Sequence, residues 1–307
     1  MISKKVIDSF KVTNGKKFRL ADYKTNDTAG VDISKEDAAT LLAETVSKIA
    51  DLQAKLYADD RSALLVIVQA MDAAGKDSAI AAVTSGVNPA GVVVHSFKAP
   101  TSTELDHDFM WRTTNVLPER GRIGIFNRSY YEEVLITRVH PNILEHQKLP
   151  RDSITPNIYK DRLEDIRSFE AYIARNGIRP IKIFLNVSMD EQRKRFLSRI
   201  DEPAKNWKFN MADVTERKLF SKYMEAYEDA IRSTATPEAP WYVVPADRKW
   251  FARLVMAGAI LDALEKIDPK FPTLPKEQLA ELKAARAALM AEGPLKEKKE
   301  KKKEKDE

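Results

Sequence analysis

Cysteine is absent from all 307 residues. That excludes disulfides, thiol chemistry and thiolate metal sites. No apolar run approaches the roughly 18 residues needed to cross a membrane. The opening segment, MISKKVIDSF, has no apolar leader core, and a cytoplasmic location is the expectation. The four histidines do not cluster, so no zinc site is expected. A large excess of one charge is missing too: 51 basic and 46 acidic residues leave only +5. What the chain attracts must therefore follow from where its charges lie.

Apolar residues make up 43% of the chain, enough for a substantial core in one large domain or two modest ones. Residues 1 to about 33 read as an irregular N-terminal arm, with turn signals at Asn14-Gly15 and Ala29-Gly30. Ser34, with Asp37 three residues on, reads as a cap opening a helix through Leu56. Strand candidates follow at 63–69, 92–97, 123–126, 181–187 and 242–244. They are rich in Val and Ile with little polar alternation, as strands covered on both faces should be. Helical patterns fill the intervals at 76–86, 102–112, 129–138, 155–176, 189–200 and 213–233, with two more at 247–266 and 276–291. The alternation predicts an α/β fold, a parallel sheet of about five strands covered by helices on both faces. Ligands sit at the carboxyl ends of such strands. Asp72, Lys76, Lys98, Asn127 and Arg128 each follow a strand candidate and would meet on that edge. The end, PLKEKKEKKKEKDE, is low-complexity and is expected to be a disordered tail over 294–307.

The stretch Leu64 to Ser78, LLVIVQAMDAAGKDS, carries the most chemistry. A buried strand runs into a short loop that ends in Gly-Lys at a helix start, the layout of a phosphate-binding loop; the plain alternative is an ordinary strand–turn–helix with a surface lysine. Ala73, Ala74, Gly75, Lys76, Asp77 and Ser78 would surround the phosphates, with Lys76 reaching the terminal ones. The general pattern G-x-x-x-x-G-K-[ST] is met incompletely. Ala70 stands at the first glycine, and Asp77 replaces the hydroxyl residue. Asp72 and Asp77 beside phosphates would repel them unless a divalent cation lay between, which suggests Mg²⁺ on oxygen ligands. The plain alternative for Asp77 is an acid favouring the helix dipole.

Between about 193 and 222 the composition turns basic while keeping Phe196, Trp207, Phe209 and Phe220. This segment reads either as a lid closing over the ligand edge or as an amphipathic pair with a solvated basic face. Trp111 and Arg112 could stack on and charge-pair with a nucleotide; the alternative for Trp111 is a core-facing ring.

Four segments in order, LLVIVQAMDAAGKDS, GRIGIFNRSYYEEVLITRVHP, DEPAKNWKF and APWYVVPADRKWFARL, resemble the polyphosphate kinase 2 family over residues 35 to 270. The resemblance implies a P-loop kinase domain over 34–270 with a helical lid, followed by a helix at 271–293. It implies Mg²⁺ (or Mn²⁺), inorganic polyphosphate as donor, and AMP, ADP and ATP as nucleotides. It implies a homo-oligomer, dimer or tetramer, with neither nucleic acid nor membrane as partner. By position it makes Asp72, Lys76, Arg128 and Arg138 catalytic, and places Lys205, Lys208 and Arg217 in the polyphosphate-binding lid. Many members carry Asp where this chain has Asn127, so Glu132 is the expected replacement carboxylate beside Asp72 and Asp77. The FNRSYYEE version resembles the subgroup that accepts both nucleoside mono- and diphosphates. Two rivals stay open at this level: an ATP-dependent P-loop kinase, and a nucleic-acid-binding protein using the basic lid and tail.

Overall fold

The computed structural model describes residues 2–292. The charged tail expected at 294–307 lies outside the described residues. The chain divides into two units, one through Lys270 and one from Phe271.

The first unit is built on a six-stranded sheet: β1 (Lys11–Val12), β2 (Ala63–Ala70), β3 (Val92–Ser96), β4 (Ile123–Asn127), β5 (Ile178–Asn186) and β6 (Trp241–Pro245), in the order β1-β6-β5-β2-β4-β3. The five strands expected from the apolar runs are all present and mutually parallel. The sixth corrects the expected number. β1 comes from the N-terminal arm and pairs antiparallel with β6, Lys11 opposite Tyr242 and Val12 opposite Trp241. Two residues carry no periodicity, so no pattern in the sequence could show it.

All eight residues of β2 are buried, which explains its unbroken apolar run. Helix Lys249–Ile267 packs on β5 and β6 and against helices Lys35–Asp59 and Lys76–Thr84. Helix Ile158–Arg175 also packs on β5 and meets helices Glu132–Val139 and Phe220–Thr234. Helix Lys4–Asp8 lies within the arm read as irregular, and Ser34 caps helix Lys35–Asp59 as expected: its Oγ accepts from Asp37 N at 2.9 Å and donates to the Asp37 carboxylate at 2.8 Å.

Two helical expectations need correction. The pattern at 102–112 breaks into Ser102–Leu105 and Trp111–Thr114, because Asp108 accepts from Met110 N at 2.9 Å and turns the chain between them. The run at 213–233 begins earlier, at Met211, and passes through a 3₁₀ turn at Arg217–Leu219 before continuing as Phe220–Thr234. In the second unit the described structure is helix Lys276–Ala291, with every residue exposed. Among the described residues no helix is long and apolar enough to cross a membrane.

Candidate active site

β2 ends at Ala70, and the chain then turns through Met71–Gly75 into helix Lys76–Thr84. Gly75 caps this helix at φ 101°, a region open to glycine and strained for any residue with a Cβ. Ala73 also sits at positive φ, 61°. Such a loop must be held from outside, and Arg195 holds it. Its buried guanidinium donates to Ala73 O at 3.1 Å, Ala74 O at 2.6 Å, Ala246 O at 2.6 Å and Asp247 O at 3.2 Å. Gln192 adds a bond from Nε2 to Asp72 O at 3.0 Å. Helix Met189–Asp201 therefore clamps the loop onto the end of β6.

The loop floors a cleft of about 390 Å³ whose lining includes eight cationic side chains and two acidic ones. The cations are Lys76, Lys98, Arg128, Arg195, Arg199, Lys205, Lys208 and Lys249; the acids are Asp72 and Asp77. Among the described residues Lys76 makes no side-chain hydrogen bond or ion pair. Burial foremost, and then the Arg128 charge, push its ammonium below the ordinary lysine value. An anion entering the cleft would reverse that shift. Burial lowers the Lys249 ammonium as well, with Arg195 and Lys205 adding to it.

Arg128 bridges two acids, donating to Asp72 Oδ1 at 3.0 Å and Glu132 Oε2 at 3.2 Å. The Glu132 charge foremost holds it firmly protonated, against the cost of burial. Glu132 itself is raised above the ordinary carboxylate value by burial, with Arg128 and Lys76 offsetting part. Gln69, its amide turned to satisfy both neighbours, donates to Glu132 Oε1 at 2.8 Å and accepts from Ser129.

The expected site residues separate into two sets. The structure brings together Asp72, Ala73, Ala74, Gly75, Lys76, Asp77, Ser78, Arg128, Lys205 and Lys208, all lining the cleft. Within this set Ser78 returns its hydroxyl to Gly75 O at 2.9 Å, and Lys205 is paired with Glu202 at 2.6 Å. Four others lie elsewhere. Glu132 stands behind Arg128. Arg138 pairs with Asp229 at 2.7 Å and opens on a second cavity of about 620 Å³ walled by Phe220 and Met224. Arg217 donates to Met189 O at 2.6 Å and Gln192 Oε1 at 3.0 Å, bracing the base of the clamp helix. Arg112 is buried and donates to Lys98 O at 2.8 Å, so it supports a cleft residue from behind. Trp111 stacks on His107, ring centroids 4.0 Å apart, and neither points into the core nor lines the cleft. The reading of the sequence missed Arg195, Arg199 and Lys249. The rule that found Lys98, a cation just beyond a strand, would also have reached Lys249, four residues after β6.

The donor set fits Mg²⁺. No cluster of three or more carboxylate or histidine groups exists among the described residues. Mg²⁺ needs none, since it keeps waters and uses one or two carboxylates plus substrate phosphates. Asp72 and Asp77 are the carboxylates in the cleft that could supply those. Asn127 Nδ2 donates to Asp77 Oδ1 at 2.8 Å, while its own Oδ1 is buried without a partner.

Residues 32–272 match the family model described as polyphosphate kinase 2. The chain is 48% identical over 282 residues to an ADP-polyphosphate phosphotransferase of Rhodopseudomonas palustris, covering 92% of this chain and 97% of that one. It is 39% identical over 263 residues to an AMP/ADP-polyphosphate phosphotransferase of Meiothermus ruber, covering 86% and 94%. The crystal structure of polyphosphate kinase 2 from Arthrobacter aurescens TC1 superposes with a TM-score of 0.82 at 37% identity, covering 92% and 95%.

Proposed function

The chain belongs to the polyphosphate kinase 2 family, and from that premise we propose that its cationic cleft grips inorganic polyphosphate while the phosphate loop presents its end to a nucleotide. The protein is a polyphosphate-dependent nucleotide phosphotransferase. One observation carries the donor assignment: eight cations against two acids in a single cleft. Polyphosphate offers nothing to read except charge and spacing, and such a groove reads both. An ATP-specific donor site would need a place for a base, and the lining contains one aromatic residue, Phe97.

In the reaction an oxygen of the nucleotide's terminal phosphate attacks the end phosphorus of the chain. The bond to the bridging oxygen breaks, and the chain leaves one unit shorter. The acceptor is already ionised near neutral pH, so no general base is required. Charge spreads over the oxygens of the moving group, and catalysis consists of positioning and electrostatics. Lys76 and Arg128 supply positive charge at the loop. Lys98, Lys205, Lys208 and Lys249 hold the rest of the chain. Asp72 and Asp77, with Asn127 Oδ1, would hold Mg²⁺, and the ion would supply charge neutralisation to the phosphates there. Glu132, which accepts from Arg128 and Gln69, and Arg138, paired with Asp229, do not line the cleft. AMP and ADP both serve as acceptors in this reading, supported by the relative from Meiothermus ruber, whose name includes both. The test supplies ADP or AMP with polyphosphate and Mg²⁺ and no ATP. Formation of the higher nucleotide is the expected result, and its failure would reject the reading.

A further inference from the structure

We infer that a buried polar cluster centred on Glu170 is a positioning device for Arg128, fixing the turn that carries it so that its guanidinium faces the phosphate cleft. Arg128 lies between β4 and helix Glu132–Val139 with φ 66°, a strained value for a residue with a side chain. Strain of this kind persists only where the surroundings over-determine the backbone. Two residues further on, Tyr130 and Tyr131 are both fully buried, and both hydroxyls donate to the same atom, Glu170 Oε1, at 3.0 and 2.9 Å. Successive side chains converging on one oxygen leave the backbone between them little freedom.

Glu170 is itself held from the opposite side. Lys182, on β5 and 0% exposed, donates to Glu170 Oε2 and to Thr234 O, the latter at 2.8 Å. Tyr131 Oη also lies 2.8 Å from Thr234 Oγ1, which accepts from Trp241 Nε1 at 2.8 Å. The cluster thus ties the Arg128 turn to helix Ile158–Arg175, to β5, to β6 and to the end of helix Phe220–Thr234. Its cost is plain. Burial raises the Glu170 carboxyl and lowers the Lys182 ammonium, each partner offsetting part of the other's shift. A buried ion pair seldom stabilises more than well-packed apolar residues would, and the β5 residues on either side of Lys182, Ile181 and Ile183, are buried and apolar. What apolar side chains could not supply is direction, and the turn is the element that needs it.

The inference rests on the proposed role of Arg128 in transfer. Its test is a double-mutant cycle on kcat, KM and Tm with three variants: Tyr130→Phe/Tyr131→Phe, Arg128→Lys, and both together. The paired Phe variant keeps both rings and removes only the hydroxyls. It should remain folded and lower kcat about tenfold or more, while KM for polyphosphate and for ADP stays within about twofold. In the Arg128→Lys background the same pair should cost less than about twofold, because the side chain it positions is gone. Ile49→Val, a buried loss on helix Lys35–Asp59, should lower Tm without changing kcat. If the paired variant fails to fold, Tyr130→Phe alone supplies the cycle. Unchanged kcat in the Phe variant, or losses that simply multiply, would overturn the inference while leaving Arg128 in place. Unchanged kcat in Arg128→Lys alone would overturn the assignment of Arg128 and this inference with it.

Discussion

Single side chains in the cleft differ chiefly in whether their charge is already answered. Arg128 has two carboxylates, Arg195 has backbone carbonyls and Glu191, and Lys205 has Glu202. Lys76 has no such partner among the described residues, and in the proposed function substrate phosphate is its anion. Lys76→Ala should therefore lower kcat about 10²–10³-fold, as loss of a transition-state donor does, with little change in thermal unfolding. The pH dependence follows from the direction of its shift. Burial and Arg128 hold the Lys76 ammonium below its ordinary 10.5. The charged form that binds phosphate is present at low pH and is lost as pH rises through the lowered value. Polyphosphate affinity, measured by titration, should accordingly begin to fall below pH 10.5 in wild type, and this limb should be smaller in Lys76→Ala, where Lys249, also lowered by burial, still titrates. Asp72→Asn should lower kcat and raise the Mg²⁺ concentration needed for half-maximal rate. An unchanged Mg²⁺ requirement would remove Asp72 from the metal's donors.

Between elements, the clamp of helix Met189–Asp201 on the phosphate loop is the decisive contact. Arg195→Ala would leave carbonyls of Ala73, Ala74 and Ala246 without their donor. Urea unfolding should show a loss of about 2–4 kcal/mol, the scale of several buried acceptors stranded together, and polyphosphate KM should rise as the loop loosens. This contact also marks the limit of what the chain reveals unfolded. The phosphate loop was legible because the apolar run of β2 leads through a short loop to Gly75-Lys76 at a helix start. The five parallel strands were legible from apolar runs of the same kind. Arg195, in contrast, stands in the run Arg193-Lys194-Arg195. Nothing in that run tells which of the three turns inward; only the packed helix does. Arg112, Arg138 and Arg217 show the converse. Arg112 was a nucleotide candidate and the other two came from the family resemblance; the fold sets them against Lys98 O, Asp229, and Met189 O with Gln192, contacts that the chain alone does not reveal. β1 was invisible because two residues have no period.

On the scale of the whole cleft, charge sets the behaviour. The chain as a whole is nearly balanced, at +5 over 307 residues, yet its cations gather where the strands end. Polyphosphate binding should weaken with salt far more than nucleotide binding. The Debye length shrinks from about 10 Å at 0.1 M to about 3 Å at 1 M, and only the polymer spans several lysines at once. Steady-state KM for each substrate across that range checks this. The most direct test asks which substrate the cleft holds. Lys249 lines it, and no ion pair of Lys249 is found among the described residues. In Lys249→Ala, KM for polyphosphate should rise about fivefold, the worth of one phosphate contact near 1 kcal/mol, with KM for ADP unchanged. A rise in KM for ADP with polyphosphate unaffected would place the nucleotide in the cleft and contradict the assignment.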